Sequence, residues 1–200
     1  MNSQQCNRHR ADQDIFTWLK PKRVPSAEDV HRAATIVADR LCGAMADPLI
    51  RNAQEQRQLA SIEDWLLGRG YRYVESRHLK LDTLTTGTFS FRFNVSVKQP
   101  GRTKEVNVPI DSVIMPSRAN QGDLPLLIEA KSAGDFTNTN KRRKEEATKV
   151  NQLRATYGDK IRFILFLCGY FDSGYLGYEA AEGIDWVWEH RIDDLKKLRL

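Results

Sequence analysis

Two short apolar runs joined through one helical segment constrain this chain more than any other feature. The first, Leu124–Ser132 ("LPLLIEAKS"), is apolar on both faces up to Glu129. A strand of that kind is stable only inside a sheet covered on both sides, so it reads as a central strand. The second, Ile161–Gly169 ("IRFILFLCG"), has the same character. Between them, "NKRRKEEATKVNQLRATYG" sets Ala147, Val150, Leu153 and Tyr157 on one helical stripe, and Gly158 supplies a stop. Strand, helix and strand in this order make a crossover unit with parallel strands.

The remaining segments fit around that unit. "GTFSFRFNVSV" alternates with period two, which places Phe89, Phe91, Phe93, Val95 and Val97 on one face. After the turn signal "QPGR", "KEVNVPIDSVIM" returns with Val106, Val108 and Ile110 on one face and Asn107, Pro109 and Asp111 on the other. The two runs predict an antiparallel hairpin. Upstream, Ser26 with Asp29 resembles a capping box and starts a helix to about Cys42, with Gly43 as its stop. Asp47-Pro48 starts a second helix, with Leu59, Ile62 and Leu66 as its apolar stripe and Gly68 or Gly70 at its end. Residues 172–200 read as a Gly-rich loop, the aromatic segment "IDWVWEH" and a last helix near "DDLKKL".

The expected fold class is α/β: a mixed β-sheet flanked by helices, with an N-terminal helical segment. Residues 1–25 form a polar arm, and 26–200 form one domain with a helical subregion at 26–70 and an α/β core at 71–200. The 200 residues carry a formal charge of +5, a mild bias toward polyanionic partners. Cys6, Cys42 and Cys168 lie far apart, without zinc spacing or an even disulfide count, which suits a reducing cytoplasm. The N-terminal decapeptide has no apolar signal segment, and no apolar run is long enough to span a bilayer. The histidines show no ligand spacing, and "DSGYLGYEAAEG" matches neither a phosphate loop nor a nucleophile elbow.

Charges at the inner ends of the apolar strands raise the question of chemistry. Glu129 and Lys131 are two apart on a strand and share a face. Asp111 closes the preceding strand. If the strands are neighbours, the two carboxylates converge, and like charges at that range cannot both ionise unaided. A divalent cation removes the conflict, and few oxygen ligands with room for water and phosphate suit Mg2+. A lysine beside such an ion completes a site for metal-assisted phosphodiester hydrolysis. The plain alternative is that each of these charges is a solvated strand end.

Other residues supply candidate contacts. Glu55 lies on the apolar stripe of the second helix, four residues before Leu59, and points an acid toward the core. Lys141, Arg142, Arg143 and Lys144 crowd the first turn of the helix between the apolar runs. The helix dipole disfavours cations there, and a phosphate nearby would relieve them. The alternative is a solvated cluster with Glu145 and Glu146 as local partners. Asn138 and Asn140 precede the cluster as base-reading or capping residues, capping being the better reading for Asn140. Arg118, Asn120 and Gln121, between the acid-bearing strands, are candidate base or phosphate contacts. Lys149 and Gln152, one turn apart, are candidates to face the catalytic strand.

Asp111 with Glu129-Ala130-Lys131 resembles the PD-(D/E)XK nuclease signature, with Pro109-Ile110-Asp111 as a stretched "PD". The segments "IEAKSAGDFTNTNKRRKEEATKVNQLRATYG" and "FILFLCGYFDSGYLGYEAAEGIDWVWEHRIDDL" resemble the XamI-type family of type II restriction endonucleases. The likeness runs from about Arg32 to Leu195. It implies a restriction-endonuclease core cleaving double-stranded DNA with Mg2+. Asp111, Glu129 and the Ala130 carbonyl would hold the metal, Lys131 would orient and help deprotonate water, and Glu55 would be an added acid from the N-terminal helix. Such enzymes leave 5′-phosphate ends, usually act as two-fold homodimers, and have a cognate DNA methyltransferase as genetic partner. A cytoplasmic bacterial protein is implied. A structure-specific repair or junction nuclease of the same fold, or a DNA-binding module that no longer cuts, are the alternatives.

Overall fold

The computed structural model describes residues 12–77, 79–99, 104–133 and 139–200, the side chains of 139–143 excepted. The chain divides into two compact units, Met1–Asn52 and Ala53–Leu200. In the first, residues 12–22 form successive turns that bury Ile15. The expected capping box is present: the Asp29 N–H donates to Ser26 Oγ at 3.2 Å, and the Ser26 N–H donates to Asp29 Oδ2 at 2.8 Å. Asp29 also pairs with Arg23, and this bond with the two from Ser26 holds its carboxyl well below the usual range.

Helix α1 (Ala27–Leu67) passes through both Gly43 and Pro48, where the sequence predicted two helices. Proline removes one N–H, so the bond forfeited is the one to the carbonyl of Ala44. Ala44 is exposed, so water can satisfy that oxygen. A Cβ at Gly43 would meet nothing within 4 Å, so its effect is only a modest loss of helix propensity.

The second unit is a six-stranded mixed sheet in sequential order. Its strands are β1 (Arg72–Tyr73), β2 (Thr88–Val97), β3 (Val106–Met115), β4 (Leu126–Ser132), β5 (Arg162–Cys168) and β6 (Asp185–Trp188). The predicted hairpin is β2–β3, antiparallel, and β3–β4 is antiparallel as well. β4 and β5 run parallel and are joined through helix α2 (Thr139–Tyr157), as the crossover requires. Helix α3 (Ser173–Ala181) occupies the stretch read as a Gly-rich loop. Its cap explains the difference: Asp172 Oδ1 accepts from the Tyr175 N–H at 2.7 Å, and the segment buries Tyr175 and Glu179. A 3₁₀ stretch, Glu189–Leu198, stands where the last helix was expected.

Each face of the sheet carries its own core. One packs Leu127, Leu165 and Leu167 against Val150 and Leu153 of α2 and Tyr175 of α3. The other packs Leu126, Ile128, Ile164 and Phe166 against Leu59, Ile62, Trp65 and Leu66 of α1. β2 does not keep one face to one core. Phe89 and Phe91 belong to the α1 side, whereas Phe93, Val95 and Val97 belong to the α2 side. The switch falls at Arg92, whose φ of +50° lies in the left-handed region. Phe91 pairs with Ser112 and Phe93 with Ile110, so no residue is inserted. β3 switches at the matching place: Val108 and Ile110 face α2, and so do Val113 and Met115. Asp111 therefore takes the parity of Val113, not the polar side predicted from Asn107 and Pro109.

Glycine is required where β4 and β5 end. Gly169 has φ +94°, and a Cβ there would lie 2.8 Å from that of Ala133. The Ala133 N–H donates to the Cys168 carbonyl at 2.9 Å, which fastens the end of β4 just beyond Lys131. No helix among the described residues is long and apolar enough to cross a membrane.

Candidate active site

Glu129 and Lys131 share the parity of Leu127, so both leave β4 on the face that α2 covers. Asp111 joins them from β3. Its Oδ2 accepts the Ala130 N–H at 2.8 Å, which ties the aspartate to the strand carrying the other two groups. Burial pushes the Asp111 carboxyl up to about 7, and the charge of Glu129 adds to that. The Ala130 N–H and Lys131 oppose the rise, and Glu55 adds a smaller upward push. This is the conflict of buried carboxylates that the sequence raised, now located between adjacent strands.

Two ammonium groups grip Glu129. Lys131 Nζ lies 3.1 Å from its Oε1, and Lys149 Nζ lies 2.8 Å from its Oε2. Lys149 also donates to the Pro109 carbonyl at 3.0 Å, so it spans β3 and β4 from α2. A third acid stands behind Lys131. Glu146 is 2% exposed, and its Oε1 lies 3.2 Å from Lys131 Nζ. Its Oε2 accepts the Tyr175 hydroxyl at 2.9 Å. Burial by itself would lower the Lys131 pKa, but the carboxylates of Glu129 and Glu146 outweigh it, and the group is held as an ammonium. Glu146 is thus a buried partner of the strand lysine, where the alternative reading made it a solvated local partner of the Lys141–Lys144 cluster.

Glu55 comes to the margin of this group. It is half-buried and pairs with Arg92 at 3.5 Å, from the strand residue beside Asp111. One turn on, the Gln58 side-chain amide donates to the Phe166 carbonyl at 2.9 Å and the Lys131 carbonyl at 3.3 Å, pinning the ends of β4 and β5 from the α1 side.

Other predicted contacts lie elsewhere. Arg118, Asn120 and Gln121 sit on the loop at the far ends of β3 and β4. Four strand residues separate that loop from Asp111 and three separate it from Glu129, which corresponds to about 10–14 Å. Arg118 and Asn120 line a cavity of about 1180 Å³ with Lys160, Arg162, Lys196 and Arg199. Burial lowers the Arg162 pKa there, and the Arg199 charge lowers it further. Lys144 is exposed on α2. Asn140, Lys141, Arg142 and Arg143 have helical backbone, but their side chains, like all of Asn138, lie outside the described residues. The helix already includes Thr139, so Asn140 falls within its first turn and not at the flanking cap position.

Several residues of the cluster escaped sequence reasoning. Glu146 had a legible signal, since it precedes Val150, Leu153 and Tyr157 by 4, 7 and 11 residues and so continues the buried stripe. Lys149 did not escape: its signal placed it facing the catalytic strand, where it reaches Glu129. Tyr175 and Arg92 had none: one acts through a helix read as loop, the other through a backbone angle.

Among the described residues, no three His, Cys, Asp or Glu side chains form a ready cage for a metal ion. Asp111 and Glu129 are a pair of hard oxygen donors. That number fits Mg2+, which is commonly held by one or two carboxylates plus substrate phosphate. Counted as ionised, Asp111, Glu129 and Glu146 face Lys131 and Lys149, a net charge of about −1. A divalent ion would bring it to about +1, matched to one phosphodiester.

The chain matches the model of the XamI restriction endonuclease family over residues 4–188 and belongs to that family. It is 61% identical over 186 residues to the type II restriction enzyme SalI of Streptomyces albus G. That match covers 92% of this chain but 58% of the relative, so the chain spans a little over half the relative's length. Among solved structures, protein VC1899 of Vibrio cholerae aligns with 57% of this chain and 27% of its own, at 20% identity and a TM-score of 0.36.

Proposed function

We propose that this protein is a sequence-specific endonuclease of the type II restriction class, acting on double-stranded DNA with Mg2+ and leaving 5′-phosphate ends. The observation that carries the reading is the convergence of Asp111, Glu129 and Lys131, in a chain of this family. Asp111 and Glu129 would hold the ion together with the Ala130 carbonyl. In an extended strand a residue's N–H and C=O leave on the same edge, so this carbonyl faces the β3 side, where Asp111 lies. When bound, the ion supplies Lewis-acid stabilisation of the charge developing on the phosphoryl oxygens.

The chain's own groups do the rest. Lys131 orients the attacking water, helps in its deprotonation with the proton passing on to solvent, and faces the phosphate's negative charge. The water oxygen bonds to phosphorus in line as the bond to the 3′ oxygen breaks, giving a 3′ hydroxyl and a 5′ phosphate. Glu55 lies at the rim as a further acid, balanced by Arg92. The basic start of α2, from Lys141 to Lys144 with Asn138 and Asn140 beside it, tracks the DNA backbone, and Arg118, Asn120 and Gln121 touch the duplex farther from the cut. A two-fold homodimer would place one site on each strand of a palindrome. The setting is the bacterial cytoplasm, with a cognate methyltransferase as genetic partner.

The test is digestion of plasmid DNA by this chain with Mg2+. Discrete bands are expected, abolished by Glu129→Ala in a variant that keeps the wild-type melting temperature. A smear would replace sequence specificity with structure-directed or indiscriminate cutting. Undiminished cutting by Glu129→Ala would remove the site assignment.

A further inference from the structure

Glu146 and Tyr175 have no place in the chemistry above, yet both are buried and both point at it. Glu146 is 2% exposed and sits on α2. A carboxylate removed from water is costly unless charge and hydrogen bonds compensate it. Here Oε2 accepts the Tyr175 hydroxyl at 2.9 Å, while Oε1 has no hydrogen bond and is compensated by the charge of Lys131 Nζ, 3.2 Å away. Tyr175 is itself 2% exposed, and its ring packs against Phe171 with centroids 4.9 Å apart. The hydroxyl is fixed by its surroundings and fixes the carboxylate in turn.

Lys131 rests between two acids with different duties. Glu129 would be shared with the metal ion, and a carboxylate that ligates a cation has less charge to offer an ammonium group. Glu146 lies behind Lys131 and stays available to it. Lysine's stem is long and its rotamers many, so without a fixed anchor the ammonium would wander once its hold on Glu129 weakened. We propose that Glu146 and Tyr175 are positioning residues, a buried carboxylate–phenol pair that keeps the Lys131 ammonium aimed at the reacting phosphate while Glu129 serves the metal. This rests on the nuclease reading and deepens it.

The test is a double-mutant cycle on single-turnover cleavage with Mg2+, with DNA affinity and melting temperature measured in parallel. Glu146→Gln keeps the volume and can still bond Tyr175, but loses the charge. The expected result is a rate loss on the order of 10- to 100-fold, as for a misaimed reacting group, with DNA affinity retained. Glu146→Asp should recover part of the loss, since it restores the charge. The decisive comparison is in the Lys131→Ala background, where adding Glu146→Gln should cost nothing further. An equal loss in both backgrounds, or a wild-type rate for Glu146→Gln, would overturn the proposal. If Glu146→Gln does not fold, Tyr175→Phe, which removes only the hydroxyl, enters the same cycle with the same criteria. If Lys131→Ala itself cuts at the wild-type rate, it is the nuclease assignment of Lys131 that fails, an outcome separate from the others.

Discussion

Replacing Asp111 by Asn should stabilise the metal-free protein while destroying cleavage. In the folded chain the Asp111 carboxyl is pushed from 3.8 up to about 7, by burial first and then by the charge of Glu129. A raised carboxyl pKa means the native state binds the proton more tightly than the unfolded chain. Its contribution to stability is therefore complete below 3.8 and is lost as the pH rises to about 7. The full loss corresponds to about 4 kcal/mol, and relaxation of the site would reduce it to roughly half. Asn is neutral throughout and can still accept the Ala130 N–H. Urea denaturation in the presence of a chelator measures the difference. Asp111→Asn should exceed wild type by about 2–4 kcal/mol at pH 8, and about two-thirds of that gap should close by pH 5. Mg2+ should then raise the wild-type midpoint and leave the variant unmoved. A gap independent of pH, or a variant less stable than wild type at pH 8, would refute the argument that burial and Glu129 strain this carboxylate.

Three further changes probe other parts of the molecule. Arg92→Gly should leave stability within about 1 kcal/mol, because glycine accepts a positive φ but adds backbone freedom; Arg92→Val should cost about 1–2 kcal/mol more. Equal urea midpoints for the two would remove the backbone angle as the reason for the switch in β2 and β3. Leu153→Ala, at a fully buried position beneath the α2 side of the sheet, should cost about 2–5 kcal/mol in the same assay. Arg142→Ala and Arg143→Ala should each lower the slope of log affinity against log salt by about one for each phosphate no longer neutralised, as titrations of DNA binding at several salt concentrations would reveal.

Much of the fold was legible because it depends on local periodicity. The apolar runs around Leu127 and Leu165, the stripe through Val150 and Leu153, and the pairing of β2 with β3 each require a single neighbouring structure, and that structure formed. Misreadings arose where a local rule met a competing term. Gly43 read as a stop and Asp47-Pro48 as a new start, but each costs a continuous helix only a local amount. "DSGYLGYEAAEG" read as loop from its glycines, but an Asp cap and the burial of Tyr175 carried it into a helix. Alternation placed Phe89 through Val97 on one face, but one residue with positive φ turned the strand over.

The candidate site divides along the same line. The sequence by itself determined which groups bear charge at the ends of apolar strands, and the spacing of Glu129 and Lys131 put them on one face. The order strand, helix, strand also predicted that β4 and β5 lie parallel beneath a helix, as they do. Only the tertiary structure decided what stands opposite those charges. Asp111 reaches the shared face because β3 changes parity opposite Arg92, and Glu146 and Lys149 reach it because α2 crosses above β4. The physical reason is range: periodicity and capping act over a few residues along the chain, whereas the partners of a buried charge are chosen by packing between residues distant in sequence. Lys131 and Tyr175 lie 44 residues apart, and the carboxylate of Glu146 joins them.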